Sequence, residues 1–136
     1  MPLNLPAEGG CQCGNVRYRL TGQPLWLGVC HCTECKRASG AAFSMSLRLR
    51  EADVELLSGT LKQWSRPSAK KGEVICEFCP DCGNRVWHVP VGTGFKHVKP
   101  GTLDDPSAVA PNFEGWTVRK APWLSISGLA ASFEEQ

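Results

Sequence analysis

Apolar and polar side chains alternate along Val16-Arg17-Tyr18-Arg19-Leu20, Met45-Ser46-Leu47-Arg48-Leu49-Arg50 and Leu124-Ser125-Ile126-Ser127. A period of two is what a half-buried strand requires, because successive side chains leave opposite faces of the backbone. Shorter strand patterns run from Val54 to Leu57, Leu61 to Trp64, Glu73 to Phe78, Arg85 to Val89 and Trp116 to Arg119. Turn residues punctuate them at Gly22-Gln23-Pro24, Ser58-Gly59, Gly92-Thr93-Gly94 and Pro100-Gly101. Helical signals are confined to Thr33 to Ser39, with Thr33 as N-cap, and to a turn over Pro106 to Ala110. Nothing repeats and no linker divides the chain, so the pattern predicts one all-β domain over residues 1–136, with curled sheets and many loops.

Composition narrows the classes of function. The 136 residues carry a formal charge of +2, and no apolar stretch approaches the roughly 20 residues that cross a bilayer. Met1 to Gly10 has neither the basic start nor the apolar centre of a secretory signal, which predicts a cytoplasmic protein with no membrane partner. The charge balance is too even to suggest nucleic acid, and the five tryptophans are not interleaved with any basic run that would make a single-strand platform. A chain this long buries a core without disulfides, so its eight cysteines need another explanation.

Their spacing supplies one. Cys11 and Cys13, then Cys30, Cys32 and Cys35, then Cys76, Cys79 and Cys82 form three clusters separated by long gaps. Thiols at i and i+2 of an extended segment face one side, and a tight turn brings a Cys-x-x-Cys pair together, so both spacings can offer two sulfurs to one ion. Adjacent Cys-x-Cys thiols are poorly placed to bridge each other, and a reducing compartment disfavours disulfides, which leaves zinc as the expected cofactor. An early pair combined with Cys79 and Cys82 makes a closed four-thiolate site; Cys30, Cys32 and Cys35 then make a three-thiolate group with an open position. The closed kind stabilises folds, whereas the open kind performs chemistry. Four thiolates around a divalent cation leave −2 and three leave −1, so the loaded chain carries about −1 and its weakly basic composition says little about partners.

Gly10-Cys11-Gln12-Cys13-Gly14-Asn15-Val16-Arg17-Tyr18, Cys30-His31-Cys32-Thr33-Glu34-Cys35-Lys36-Arg37-Ala38-Ser39-Gly40 with Phe43, and Phe78-Cys79-Pro80-Asp81-Cys82-Gly83 resemble the glutathione-dependent formaldehyde-activating enzyme family, to which centromere protein V is also related. Gly101-Thr102-Leu103-Asp104-Asp105 and Lys120-Ala121-Pro122-Trp123-Leu124 resemble its later blocks, so the likeness covers nearly the whole chain. The resemblance implies coiled β-sheets akin to methionine sulfoxide reductase B. It implies a structural zinc on Cys11, Cys13, Cys79 and Cys82, and a second, more weakly held zinc on Cys30, Cys32 and Cys35 where a glutathione adduct acts. The implied activity is S-hydroxymethylglutathione formation from formaldehyde and glutathione, a carbon-sulfur lyase reaction in which glutathione or its adduct is the partner. The competing expectation is a non-enzymatic, zinc-stabilised binding or adaptor module.

The residues around the second cluster leave several readings open. Lys36 and Arg37 either offset the thiolates' charge and meet a substrate carboxylate or form a solvated face, and Trp26 is placed to wall a pocket. Cys76 stands where the family more usually has a polar residue; it is a buried free thiol, a fourth ligand of the second site, or a reactive thiol. Alternation points His31 away from the metal of its neighbours, as a supporting or surface group. His88 and His97 are structural or line the pocket as proton carriers. The histidine that the family often carries near Asn112 to Trp116 is absent here.

Overall fold

The structure, a computed structural model, describes residues 3–68, 72–107 and 109–136. In chain order they form strands β1 (Ala7–Gly10), β2 (Arg17–Leu20) and β3 (Trp26–Cys30), helix α1 (Thr33–Ser39), and strands β4 (Ser44–Arg50), β5 (Val54–Ser58), β6 (Lys62–Pro67), β7 (Glu73–Phe78), β8 (Arg85–Pro90), β9 (Phe95–Val98), β10 (Phe113–Gly115) and β11 (Ala131–Ser132). Strands β1-β2-β5 make a three-stranded sheet, and β11-β10-β3-β4-β9-β8-β7-β6 make an eight-stranded one. All pairings are antiparallel except β10 with β3 and β10 with β11. The fold is thus all-β, as the alternation predicts.

The large sheet has two unlike faces, and this division positions everything functional. Leu27, Leu47, Leu49, Trp87 and Val98 face inward, each at most 1% exposed, and meet Tyr18 and Leu20 of the small sheet in one core. The Tyr18 and Trp87 rings touch edge to face at 5.6 Å across it. Because side chains alternate along each strand, the residues between these core positions share the other face. The ladder register lines up Trp26, Arg48, His97, His88, Cys76 and Trp64 as a single row across six neighbouring strands of that face.

Several elements depart from the sequence expectation. Leu124 to Ser127 pairs with nothing and begins in a turn closed by Leu124 N–H to the Ala121 carbonyl at 3.1 Å. Its alternation reflects half-buried Leu124 and Ile126 beside exposed serines, a burial pattern that needs no ladder. Trp116 to Arg119 is no strand either, because Trp116 adopts a left-handed backbone (φ 56°) and starts a 3-10 turn over Thr117–Arg119. The Pro106 to Ala110 segment includes Ala108, outside the described residues, and its described part is a turn from Val109 N–H to the Pro106 carbonyl at 3.2 Å. Helix α1 spans the expected residues, but its N-cap is Cys32, whose sulfur accepts the Cys35 N–H, rather than Thr33.

Gly28 shows how closely β10 lies on β3. A Cβ there would stand 2.5 Å from Cζ of Phe113, whose ring occupies the space above the glycine and meets Trp26 at 4.8 Å. Replacing Gly28 by Ala is expected to cost about 1–3 kcal/mol through overpacking, whereas Gly101→Ala, where nothing lies within 4 Å, should stay within about 0.5 kcal/mol. Urea unfolding of the two variants checks this; equal midpoints would show that Phe113 yields freely.

Candidate metal centres and the adjoining cleft

Two hairpin turns build the first centre. Cys11 and Cys13 lie between β1 and β2, in a turn closed by Cys11 N–H to the Val16 carbonyl at 3.0 Å. Cys79 and Cys82 lie between β7 and β8, in a turn closed by Cys79 N–H to the Asn84 carbonyl at 3.0 Å. Side chains stitch the turns together: Gln12 N–H donates to Asn84 Oδ1 and Asn15 Nδ2 donates to Asp81 Oδ2, both at 2.9 Å. All four sulfurs fall within 4.8 Å of one another, with Cys11 and Cys13 at 3.5 Å and Cys13 and Cys79 at 3.7 Å. Sulfurs at the corners of a tetrahedron with bonds of about 2.3 Å stand about 3.8 Å apart, so the spacing suits a tetrahedral thiolate metal.

Electrostatics make the same demand. Burial opposes ionisation of Cys11, but the Val16 N–H aimed at its sulfur, with the neighbouring thiols, lowers that thiol to about 6. At Cys13 the Asn15 N–H favours the thiolate, yet burial and the other sulfurs prevail and push it up to about 12. One sulfur ionises readily and its neighbour then resists, which is how anionic ligands behave until a cation joins them.

The second centre sits where β3 runs into α1. Cys30, Cys32 and Cys35 also place their sulfurs within 4.8 Å of one another, and Cys76 joins neither group. Hydrogen bonds from the Cys30 and Cys35 thiols are the largest influences on Cys32 and lower it to about 2, while the same contacts raise Cys30 and Cys35. His31, fully buried between two of these cysteines, points the other way: its Nε2 bonds Glu114 Oε2 at 2.8 Å. The second carboxylate oxygen accepts Lys120 Nζ and Ser132 Oγ, each at 3.0 Å. This network fixes the extended Cys30-His31-Cys32 segment against β10 and β11 from behind, which is the supporting role that alternation predicts for His31.

In front of Cys30 and Cys35 lies a cleft of about 540 Å³. Trp26, Cys30, Cys35, Arg48, His88 and His97 line it, and Phe113, Trp116 and Phe133 form an apolar wall. Burial, with the nearby Arg48 and Lys99 charges, lowers His97 to about 4, and burial holds His88 well below the usual imidazole range. Lys99 lies under the same region, donating to Ser44 Oγ at 2.9 Å and Ser46 Oγ at 3.4 Å. Burial lowers its ammonium pKa while the Cys35, Cys76 and Cys30 sulfurs push it back up.

The sequence-derived residues are distributed unevenly. Trp26 borders the cleft, whereas Lys36 turns its ammonium to the Arg119 carbonyl and Arg37 is exposed on α1. Cys76 is 2% exposed and shares a cavity of about 10 Å³ with Cys35, His88 and Lys99. Sequence reasoning did not single out Arg48, Lys99 or Glu114. Arg48 carried a signal, since it alternates with core leucines in β4, but the pattern alone reads it as facing solvent.

The architecture is that of an all-β protein with two cysteine groups able to hold metal ions. The sequence model of the glutathione-dependent formaldehyde-activating enzyme family matches residues 6–119, and the chain belongs to that family. A crystal structure of a Rhodobacter sphaeroides protein is similar in fold, with a TM-score of 0.57 and 21% identity, covering 76% of this chain and 91% of that one. No curated protein matches the chain. No helix among the described residues is long and apolar enough to cross a membrane.

Glu114 is 4% exposed and its carboxyl titrates below the ordinary 4.5: burial opposes this, but His31, Lys120 and Ser132 together outweigh it. A carboxylate whose folded pKa is depressed adds stability above its unfolded value and loses it as pH falls through the folded one. Glu114→Ala, which strands His31 and Lys120, should therefore cost about 3 kcal/mol or more at neutral pH. Glu114→Gln should flatten the loss of stability below about pH 4.3. Chemical denaturation across pH tests both, and an unchanged acid limb in the Gln variant would contradict the assignment.

Proposed function

We propose that this chain is a zinc-dependent carbon-sulfur lyase acting on glutathione adducts, forming S-hydroxymethylglutathione from formaldehyde and glutathione or performing a related aldehyde and thiol reaction. The observation that carries the reading is the asymmetry of the cysteine groups: four sulfurs gather in one, while the other has three, of which Cys30 and Cys35 border a cleft. In this reading Cys11, Cys13, Cys79 and Cys82 hold a structural zinc, and Cys30, Cys32 and Cys35 hold a second one. Bound there, zinc supplies a Lewis acid that holds and orients a sulfur nucleophile. The glutathione sulfur bonds to the aldehyde carbon, the carbonyl electron pair moves to oxygen, and that oxygen takes the proton the thiol gave up. Cleavage is the reverse.

The chain's own groups prepare this step. Trp26 and the Phe113 wall exclude water from one side of the cleft, and Lys99 offsets the negative charge gathered by the thiolates. Lys36 and Arg37 add positive charge along α1. The reading needs reduced cysteines, which a reducing compartment such as the cytoplasm supports.

Zinc content should be two per chain, with one equivalent removed by mild chelation and one resistant. Glutathione should add a sulfur neighbour at the labile zinc, seen by X-ray absorption at the zinc edge. Two resistant zincs, each already holding four protein sulfurs, would instead make the protein a zinc-stabilised binding module. Cys76→Ser should leave zinc content unchanged; loss of one equivalent would make Cys76 a ligand and overturn the open site.

A further inference from the structure

The polar face of the large sheet carries a cation with no counter-ion. Arg48 borders the cleft in the row between Trp26 and His97, and among the described residues no carboxylate lies within salt-bridge distance of it. Its Nε is buried without a hydrogen-bond partner, as is His97 Nε2 beside it. The guanidinium is held instead by aromatic faces, 4.0 Å over the Phe95 ring and 5.7 Å from that of Trp26. Such stacking fixes the plane of a guanidinium while leaving its edge free to take a carboxylate on two parallel hydrogen bonds. No Asp or Glu side chain borders this cleft; Gln136 does, but among the described residues it forms no ion pair with Arg48.

Register gives the distance to the thiol site. Trp26 pairs with Arg48 and Cys30 pairs with Ser44, so Arg48 and the cysteine group lie four residues apart along one face of β3 and β4. At about 3.3 Å per residue this is about 13 Å of strand. Gly28, midway, has no side chain of its own and the Phe113 ring lies over it, so an extended ligand between the two ends runs along the Phe113 wall and past Ser46. The Arg48 guanidinium is stacked on Phe95, which pairs with Arg50 and so lies on the side away from Ser44 and Cys30, and the ligand has to span this full distance.

We infer that Arg48, clamped by Trp26 and Phe95, is a carboxylate anchor, and that the cleft takes a small extended thiol whose sulfur lies at the Cys30, Cys32 and Cys35 group and whose carboxylate lies on Arg48. The inference rests on the proposed thiol site and adds a second contact that selects among thiols. A neutral thiol fills the sulfur end alone; a carboxylated thiol of sufficient length fills both ends and binds more tightly. Neutral His88 and His97 beside the anchor add no charge of their own.

Calorimetric titration of the zinc-loaded protein separates the two layers. The probes are glutathione, glutathione diethyl ester and 2-mercaptoethanol, with wild type, Arg48→Gln and Arg48→Lys. Wild type should bind glutathione about tenfold or more tightly than its diethyl ester, as a charge-assisted pair requires. Arg48→Gln should lower glutathione affinity to that of the ester and leave the ester and 2-mercaptoethanol unchanged, with Arg48→Lys restoring part of the difference. An unchanged preference for glutathione over the ester in Arg48→Gln, with thiols still bound, overturns the anchor and spares the thiol site. Failure of all three thiols to bind wild type overturns both. Equal losses for all three probes in Arg48→Gln, or loss of the zinc, would make Arg48 a structural residue and likewise overturn the anchor.

Discussion

Four thiols packed within 4.8 Å cannot all become thiolates without a cation among them, and the fold is arranged around that demand. Two of the sulfurs come from the turn that closes the small sheet and two from a turn at the end of the large one. A metal there would tie the sheets together at a point 66 residues apart in sequence, measured from Cys13 to Cys79. The loop-closure cost rises only with the logarithm of that length, while metal binding to thiolates supplies far more. Buried Cys11 and Cys79 belong to the same core cluster as Val16, Tyr18 and Val86, so the core and the four-cysteine group are one packed unit.

Once the small sheet covers one face of the large sheet, the other face is left to border the cleft. That face gathers what a core would reject: Arg48, His88, His97, Lys99 and the cysteines of β3 and β7. The burial of Lys99 and the two histidines is tolerable because the former has serine hydroxyls and nearby sulfurs, and the latter stay neutral. The Cys30-His31-Cys32 segment lies at the boundary between the two environments. Cys30 borders the cleft, while His31 reaches back to Glu114 and holds the segment still.

How much of this could be read from sequence follows from what kind of physics is local. Cysteine spacing is local, so both ligand groups were legible before any coordinates, as were β7, α1 and the alternation of β2 and β4. Pairing is not local. Strand β1 ends in Gly9 and Gly10, poor strand formers, and forms by pairing with β2, where Tyr18 lies so close that a Cβ on Gly9 would stand 2.5 Å from its hydroxyl. Glu114 stands 83 residues from His31 and has no motif of its own. For Arg48, period two predicted that it shared no face with Leu47 and Leu49, but only the topology shows that its face borders a cleft rather than open water.

The central claim is that the four-cysteine centre is a condition of the fold, not an addition to it. Hydrogen exchange on Cys13→Ser, compared with wild type under the same metal load, tests this most directly. If the claim holds, amides of β2, β7 and β8 lose protection together, well beyond the two turns. Protection lost only in the turns around residues 11–16 and 79–84 would contradict it.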